Sequence, residues 1–246
     1  MKNYKIREKN KEDLSKKERK ILRTKNIILD AAKELFSKKS FDMNTMDDIA
    51  DSAALSRATL YNYFDTKEEI YLNIGLLKIK EWIKRFKHVD SAKFSGEHKI
   101  LFLTENLVKD LLEFPIYINL LRRFFDRSKE LNIPIENIFY TNLIEKKNFQ
   151  FKSVSGTQYK IYYDLLKQYI KYRQIWLDAI ELGKKDGSIK SPKNIHHLNF
   201  IIIMTLFGLL DQIELRRSLI SRVDITTEMI TKFVLQFVRK FLNGEI

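Results

Sequence analysis

The sequence predicts an all-α protein, and three observations support this prediction. The 246-residue chain contains only seven glycines and three prolines, so few positions interrupt a helix. Apolar residues recur at spacings of three and four, which places them on one face of a helix. Several helix starts carry a capping pattern, in which Ser or Thr stands three positions before an acidic residue. We expect a small N-terminal helical domain, joined by a linking helix to a larger helical domain.

The first helix is predicted to begin at the capping box Ser15-Lys-Lys-Glu18. In a capping box the hydroxyl and the carboxylate each accept a backbone N–H at the helix start. The helix continues along apolar residues whose spacing marks one buried face. These residues are Ile21, Leu22, Ile27, Ile28, Ala31, Ala32, Leu35 and Phe36.

The next two helices are short and share one tight turn between residues 45 and 64. Thr45 and Asp48 form a second capping box, and Ser56 is placed to cap the following helix. Leu60 and Phe64 are four residues apart and therefore face inward together. The outward positions carry small residues, hydroxyls and one arginine, which suit close approach to the DNA major groove. They are Arg57, Ala58, Thr59, Tyr61, Asn62 and Tyr63.

The pattern Ile-Ala-x-x-Ala-x-Leu-Ser-Arg-x-Thr-Leu-Tyr-x-Tyr-Phe, followed by Lys-Glu-Glu-Ile, resembles the DNA-binding domain of the TetR family of transcriptional regulators. The match runs from about residue 27 to about residue 72. The resemblance implies a dimer that binds a palindromic operator in double-stranded DNA, and a phosphate contact from Lys67. The predicted DNA-binding residues are Thr45, Ser56, Arg57, Ala58, Thr59, Tyr61, Asn62, Tyr63 and Lys67.

Three positions depart from the family pattern. Ser40 and Ala54 stand where turn glycines are usual, and Ala58 replaces a frequent glycine at the start of the recognition helix. We expect the first two changes to cost little, provided that φ stays negative at both turns. The extra methyl group of Ala58 faces the DNA and is expected to alter the choice of operator.

The predicted domains are a DNA-binding domain with a basic N-terminal arm at residues 1–67, and a helical effector-binding and dimerisation domain at residues 68–246. A linking helix is expected to start after a Thr66 or Asp65 cap and to reach about Phe86, before a hinge at residues 88–96. The further helices are predicted at Lys99–Phe114, Ile116–Lys129, Ile135–Lys146, Gln158–Leu182, Asn194–Leu219 and Thr226–Leu242.

The resemblance also implies a homodimer interface formed by the last two helices, at about residues 194–242. Residues 200–210 are apolar all round, as expected for a helix buried by its own domain on one side and by a partner on the other. Phe233, Val234, Phe237, Val238 and Phe241 form a second apolar stripe. Burial inside a monomer is the alternative explanation. A helix-turn-helix protein usually binds a palindrome as a dimer, which favours the interface.

A small hydrophobic or aromatic effector is predicted to bind the second domain and to release a repressor from its operator. Ligand pockets are mostly apolar, with a few polar groups. Aromatic stripes at helical spacing are nevertheless more often packed core than pocket. The candidate ligand-binding residues are Phe102, Tyr117, Phe125, Tyr163, Tyr172 and Trp176.

The net charge of +13 is only weak support for nucleic-acid binding. Residues 1–64 hold 15 Lys and Arg against 10 Asp and Glu, which leaves +8 of the total beyond them. An AT-rich coding sequence also produces a lysine-rich chain. The N-terminal arm is basic and contains Lys2, Lys5, Arg7, Lys9 and Lys11. Such an arm can follow the DNA phosphates or enter a minor groove. The alternative is that it is a solvated tail.

Enzymes and membrane proteins are not expected. The chain has no cysteine, which excludes disulfides and thiolate chemistry and suits a cytoplasmic protein. No signal peptide is predicted. The apolar run at residues 200–210 is shorter than the roughly 18 residues of a membrane span. His196 and His197 are adjacent, so they point about 100° apart on a helix and cannot form a metal pair. We predict no catalytic residues, metal or cofactor. A sequence-independent architectural DNA protein is the remaining alternative.

Overall fold

The structure, a computed structural model, describes residues 15–90, 93–130, 157–220 and 222–246. These residues form helices, turns and loops without any strand, which confirms the predicted all-α class. A short 3₁₀ helix at Phe41–Met43 lies between the first two α-helices. The α-helices are α1 Lys16–Lys38, α2 Met46–Ser52, α3 Arg57–Tyr61, α4 Lys67–Asp90, α5 Gly96–Glu113, α6 Ile116–Glu130, α7 Thr157–Lys185, α8 Ile195–Leu215, α9 Arg217–Ile220 and α10 Thr227–Asn243.

The contacts divide the chain into two compact units, Met1–Ile74 and Gly75–Ile246. The division falls inside α4, about two helical turns after the Lys67 boundary expected from the sequence. The first turns of α4 belong to the first unit because Tyr71 packs there. Its ring centroid lies 5.1 Å from that of Phe36 and 4.8 Å from that of Phe41.

Helix α1 begins at the predicted capping box. The Ser15 N–H donates to Glu18 Oε2 at 2.8 Å, and the Glu18 N–H donates to Ser15 Oγ at 3.2 Å. The prediction that Ile27 is buried was wrong, since Ile27 is exposed. Three consecutive apolar residues cannot all face the core, and the helix buries Ile28 and Leu29 instead.

Helix α4 starts after Thr66, one of the two predicted caps. The Glu69 N–H donates to Thr66 Oγ1 at 3.1 Å, whereas Asp65 donates its own N–H to Glu69 Oε2 at 2.9 Å. The helix extends to Asp90, four residues beyond the predicted end at Phe86. The chain therefore continues without a break from the first unit into the second.

In the second unit, α5 is the central helix and contacts α6, α7, α8 and α10. The N-terminus of α5 lies very close to the end of α7. If Gly96 carried a Cβ, that atom would lie only 2.0 Å from the Gly183 nitrogen. The Gly96 N–H donates to Asp186 Oδ2 at 2.9 Å. Glycine at this crossing therefore allows the two backbones to meet.

The predicted C-terminal helices agree closely with the observed ones, with two qualifications. The predicted helix at Ile135–Lys146 lies outside the described residues. The predicted helix at Asn194–Leu219 is interrupted by Arg216, which separates α8 from α9. Asn194 caps α8, since its side chain accepts the His197 N–H at 2.8 Å.

Among the described residues, helix α8 has one buried face, and the opposite face is half-buried or exposed. The buried residues include Leu198, Ile202, Leu206 and Leu210, whereas Gly208 is exposed. Helix α8 has 21 residues and is long and apolar enough to cross a membrane. The argument against a membrane span considered only the apolar run at residues 200–210, so it does not apply to the whole helix. Core helices of globular proteins also meet this criterion, so one such helix is weak support for a membrane span.

Candidate nucleic-acid interface and effector cavity

The turn between α2 and α3 is closed by two backbone hydrogen bonds. The Leu55 N–H donates to Ala50 O at 2.9 Å, and the Ala54 N–H donates to Asp51 O at 3.0 Å. This is the Schellman pattern, in which the residue after the helix cap takes left-handed φ and is usually glycine. Ala54 occupies that position with φ of 52°. The condition for a low cost, a negative φ, is therefore not met at Ala54, whereas Ser40 meets it with φ of −56°.

Local capping and a buried pair set the orientation of α3. Ser56 Oγ accepts the Thr59 N–H at 3.1 Å and lies 2.8 Å from Thr59 Oγ1. Leu60 and Phe64 are both buried, as their four-residue spacing predicts. Because these two residues face the core, the opposite face of α3 is left toward solvent.

Arg57 is the cation on that outward face. Its guanidinium forms a fork with Asp47, with Nε 3.2 Å from Oδ1 and Nη1 3.2 Å from Oδ2. It also lies over the Tyr61 ring, 5.6 Å from the centroid. Hydrogen bonding to Tyr61 and the charge of Asp47 raise the pKa of Arg57, so the cation is permanent. The α2 helix thus holds the arginine of α3 in position.

The remaining outward residues are accessible to different degrees. Ala58, Tyr61 and Asn62 are exposed, and Thr59 and Tyr63 are half-buried. These five residues and Arg57 lie on or directly after α3, so the structure brings them together on one surface element. Whether each contacts DNA stays a prediction.

Thr45 and Lys67 are used within the first unit. The Thr45 hydroxyl accepts the Asp48 N–H at 3.1 Å and donates to Asp48 Oδ2 at 2.7 Å, which keeps the pKa of Asp48 below its usual value. Lys67 Nζ donates to Phe41 O and Asn44 O, each at 2.7 Å, and lies 4.2 Å from the Phe41 ring centroid. Lys67 therefore links α4 to the segment before α2, and its predicted phosphate contact stays a prediction.

Sequence reasoning missed two residues of this unit. Asp47 pairs with Arg57 ten positions later, and no local motif indicates that pair. Asn44 is buried and donates from Nδ2 to Ser40 O at 2.8 Å and to Lys39 O at 3.3 Å. A polar residue just before a capping box was the only available signal for Asn44.

The second unit contains a cavity with aromatic and aliphatic walls. Two of the predicted ligand residues, Tyr172 and Trp176, line it, and Phe102 lines an adjoining smaller cavity together with Tyr172. Tyr117, Phe125 and Tyr163 line neither cavity. Their involvement in ligand binding stays a prediction. The lining residues of the larger cavity are Ile79, Trp82, Leu107, Leu121, Tyr169, Tyr172, Arg173, Trp176, Asn199, Ile203 and Phe207.

The comparison with known protein sequences agrees with the geometry of the first unit. Residues 28–74 match the family described as "Bacterial regulatory proteins, tetR family". Over 177 residues, which are 69% of this chain and 91% of the relative, the chain is 49% identical to the "Biofilm operon icaADBC HTH-type negative transcriptional regulator IcaR" of Staphylococcus epidermidis. The protein of the same name in Staphylococcus aureus (strain Newman) is 49% identical over 47 residues, which are 19% of this chain and 25% of that relative.

Solved structures of similar fold cover nearly the whole chain. The fatty acid degradation regulator FadR of Bacillus halodurans aligns with a TM-score of 0.61 at 13% identity, over 88% of this chain and 94% of that one. FadR of Bacillus subtilis in complex with stearoyl-CoA aligns with a TM-score of 0.59 at 16% identity, over 88% and 98%. At these identities the likeness concerns the fold alone. The sequence relatives and the helix-turn-helix geometry together show that this chain belongs to the TetR family of transcriptional regulators.

Proposed function

We propose that this regulator is a repressor that binds a palindromic operator as a homodimer and is released by a small hydrophobic or aromatic effector. The observation that carries the proposal is the exposed face of α3, with Arg57, Tyr61 and Asn62 next to one another. The relative from S. epidermidis is named a negative regulator, which supports repression.

The chemistry of α3 supports direct contact with bases and phosphates. An arginine can bind guanine through two parallel hydrogen bonds, and an asparagine can do the same with adenine. Arg57 and Asn62 supply these groups, and the small side chain of Ala58 permits close approach. Because Asp47 already holds the Arg57 guanidinium, binding to a base requires that pair to open or to be shared.

A homodimer through about residues 194–242 is supported by exposed apolar side chains. Phe233 and Leu215 are both 60% exposed, and Met229 is 56% exposed. Large apolar side chains grouped on a surface mark interaction sites more often than isolated ones do. Since several apolar side chains of α8 are also only half-buried among the described residues, α8 and α10 offer a second copy a surface to cover.

We propose that the protein acts in the cytoplasm, by binding rather than by catalysis. The relatives found are transcriptional regulators, and DNA is the partner implied by the first unit. The absence of cysteine suits a reducing compartment.

Binding of the full-length protein to its own upstream DNA, compared with random duplex of equal length, tests the proposal. We expect a dimer by mass determination in solution and at least a ~10³-fold preference for the specific site. Titration with salt separates the contribution of phosphate contacts. Equal, strongly salt-dependent binding to both duplexes would contradict the proposal and favour an architectural DNA protein.

A second arm of the experiment tests the residues. Arg57→Ala should reduce the preference for the specific duplex, because it removes a base-reading side chain. Lys171→Ala, which removes an exposed cation of the second unit outside the proposed dimer interface, is the matched control and should leave the preference unchanged.

A further inference from the structure

The larger cavity of the second unit combines aromatic walls with two polar side chains. Nine of its eleven lining residues are apolar or aromatic, and the two others are Arg173 and Asn199. A ligand that fits such walls has an apolar or aromatic body. The two polar residues determine which head group that body carries.

Arg173 introduces a positive charge at the cavity wall. Its side chain is buried, with 9% of the residue exposed, and its Nη2 lies 3.2 Å from His196 Nδ1. Burial lowers the pKa of His196 and the charge of Arg173 lowers it further, so the imidazole is neutral near pH 7 and accepts at Nδ1. A guanidinium keeps its proton in proteins even where burial lowers its pKa. The interaction with His196 therefore leaves the positive charge in place.

Asn199 adds a hydrogen-bond donor at the same cavity. The residue is 3% exposed, and its Nδ2 has no hydrogen-bond partner among the described residues. A buried donor without a partner is costly, so a ligand that supplies an acceptor gains more than one that supplies none. The donor of Asn199 and the cation of Arg173 favour the same kind of head group.

The carboxylate of Asp110, which contacts the cavity-lining Trp82, is already paired. Asp110 Oδ2 accepts the indole N–H of Trp82 at 2.5 Å and lies 3.1 Å from both Lys78 Nζ and Arg85 Nη1. Two cations and one N–H thus neutralise this acidic side chain. Asp110 consequently offers little attraction to a cationic ligand.

We propose that this cavity binds a small apolar or aromatic carboxylate, whose head group contacts Arg173 and Asn199 and whose body packs against the aromatic walls. The inference rests on the proposed function, because it assigns a chemical class to the effector proposed there. A cationic ligand would be repelled by Arg173. A neutral hydrocarbon would leave the Asn199 amide without an acceptor.

Binding requires the cavity to widen. The space between the lining atoms is about 390 Å³, part of which is open solvent, and the enclosed part holds little more than a water molecule. A carboxylate with an aromatic ring must therefore displace lining side chains such as Trp82. Trp82 belongs to α4, the helix that continues from the DNA-binding unit. A ligand that prefers the widened cavity shifts the population toward that state.

The test is calorimetric titration of the full-length protein, without DNA, with three acids and their neutral carboxamides. The pairs are 2-naphthoate and 2-naphthamide, indole-3-acetate and indole-3-acetamide, and decanoate and decanamide. We expect at least one acid to bind about 10- to 100-fold more tightly than its own amide, since hydrogen bonds to charged groups are the stronger ones. Absence of such a preference in all three pairs would overturn the inference.

Substitutions in the cavity test which side chains cause the preference for the acid over its amide. Arg173→Gln should abolish the preference for the acid, whereas Lys171→Gln, which removes an exposed charge from the same helix, should keep it. A preference that persists in Arg173→Gln would overturn the inference. If Arg173→Gln does not fold, as judged by circular dichroism, Asn199→Leu provides the test, with a several-fold smaller preference expected and an unchanged one contradicting the inference.

Release of operator DNA is measured separately, so that the two proposals can fail independently. Tight binding of an acid without release of DNA would support the carboxylate site and contradict effector-controlled repression. Release of DNA by an amide as effectively as by its acid would support effector control and overturn the carboxylate site.

Discussion

The two units of this protein carry their candidate functional residues in opposite ways. In the first unit, the candidate DNA-binding residues of α3 are consecutive or nearly so, and most of them are exposed. In the second unit, the cavity brings together residues as far apart in sequence as Ile79 and Phe207, and Arg173 and Asn199 are almost entirely buried. The first unit has its candidate residues on one short exposed segment, whereas the cavity of the second unit is lined by residues from several helices.

This difference determines which substitutions each unit tolerates without a loss of folding stability. An outward residue of α3 can be replaced with little effect on the fold, because it makes few buried contacts. A residue of the cavity wall belongs to the hydrophobic core as well, so its replacement alters packing and binding together. Variants that separate stability from binding are therefore easier to find in the first unit.

The largest expected effect is on the core of the first unit. Phe64→Ala should lower the free energy of unfolding by about 3–5 kcal/mol, because it leaves a cavity beside Leu60. Denaturant unfolding of the full-length protein measures this loss. The matched control is Met43→Ala, at an exposed position of the same unit, which should change the free energy of unfolding by less than about 0.5 kcal/mol. Full stability of the Phe64 variant would contradict the orientation of α3.

The next effect is on binding without a change of stability. Arg57→Ala and Tyr61→Ala should each weaken operator binding by about 1–3 kcal/mol, because each removes a side chain from the outward face of α3. The thermal midpoint and the mass in solution should stay nearly constant. Binding is measured by titration of labelled operator DNA. Unaltered affinity in both variants would remove this helix from the interface.

A smaller effect is expected at the turn between α2 and α3. Ala54→Gly should raise the stability by about 0.5–1 kcal/mol, because left-handed φ strains alanine more than glycine. Ala58→Gly makes the same exchange in right-handed helix and should lower the stability by about 1 kcal/mol. Thermal unfolding measures both. Equal destabilisation by the two exchanges would show that Ala54 does not have positive φ.

The smallest effect is a pH dependence in the second unit. Burial lowers the pKa of His196 below its ordinary value of 6.5 in the folded state. The unfolded chain then binds the proton more readily, so stability should fall as the pH falls below about 6.5. His196→Gln should make the thermal midpoint less sensitive to pH between 7.5 and 5.5. A midpoint with the same pH dependence in both proteins would assign this sensitivity to other groups.

The sequence by itself determined the helical class, the capped starts of α1, α2 and α3, and the inward pair Leu60 and Phe64. All of these depend on residues within about four positions of one another, where the helical period relates spacing directly to direction. The family resemblance rests on the same short-range pattern. For this reason the part of the chain with the densest local signals was also predicted most completely.

Only the tertiary structure decided the features that depend on distant contacts or on backbone angles. The pair of Asp47 and Arg57 and the link from Lys67 to Asn44 have no signature in the sequence. The family pattern places a glycine at position 54, but only the structure shows that Ala54 keeps the positive φ of that turn. The cavity is the clearest case, because several helices must pack before their aromatic residues divide into core and wall. Sequence spacing places each residue on a face of its own helix, but the packing of the other helices determines what that face meets.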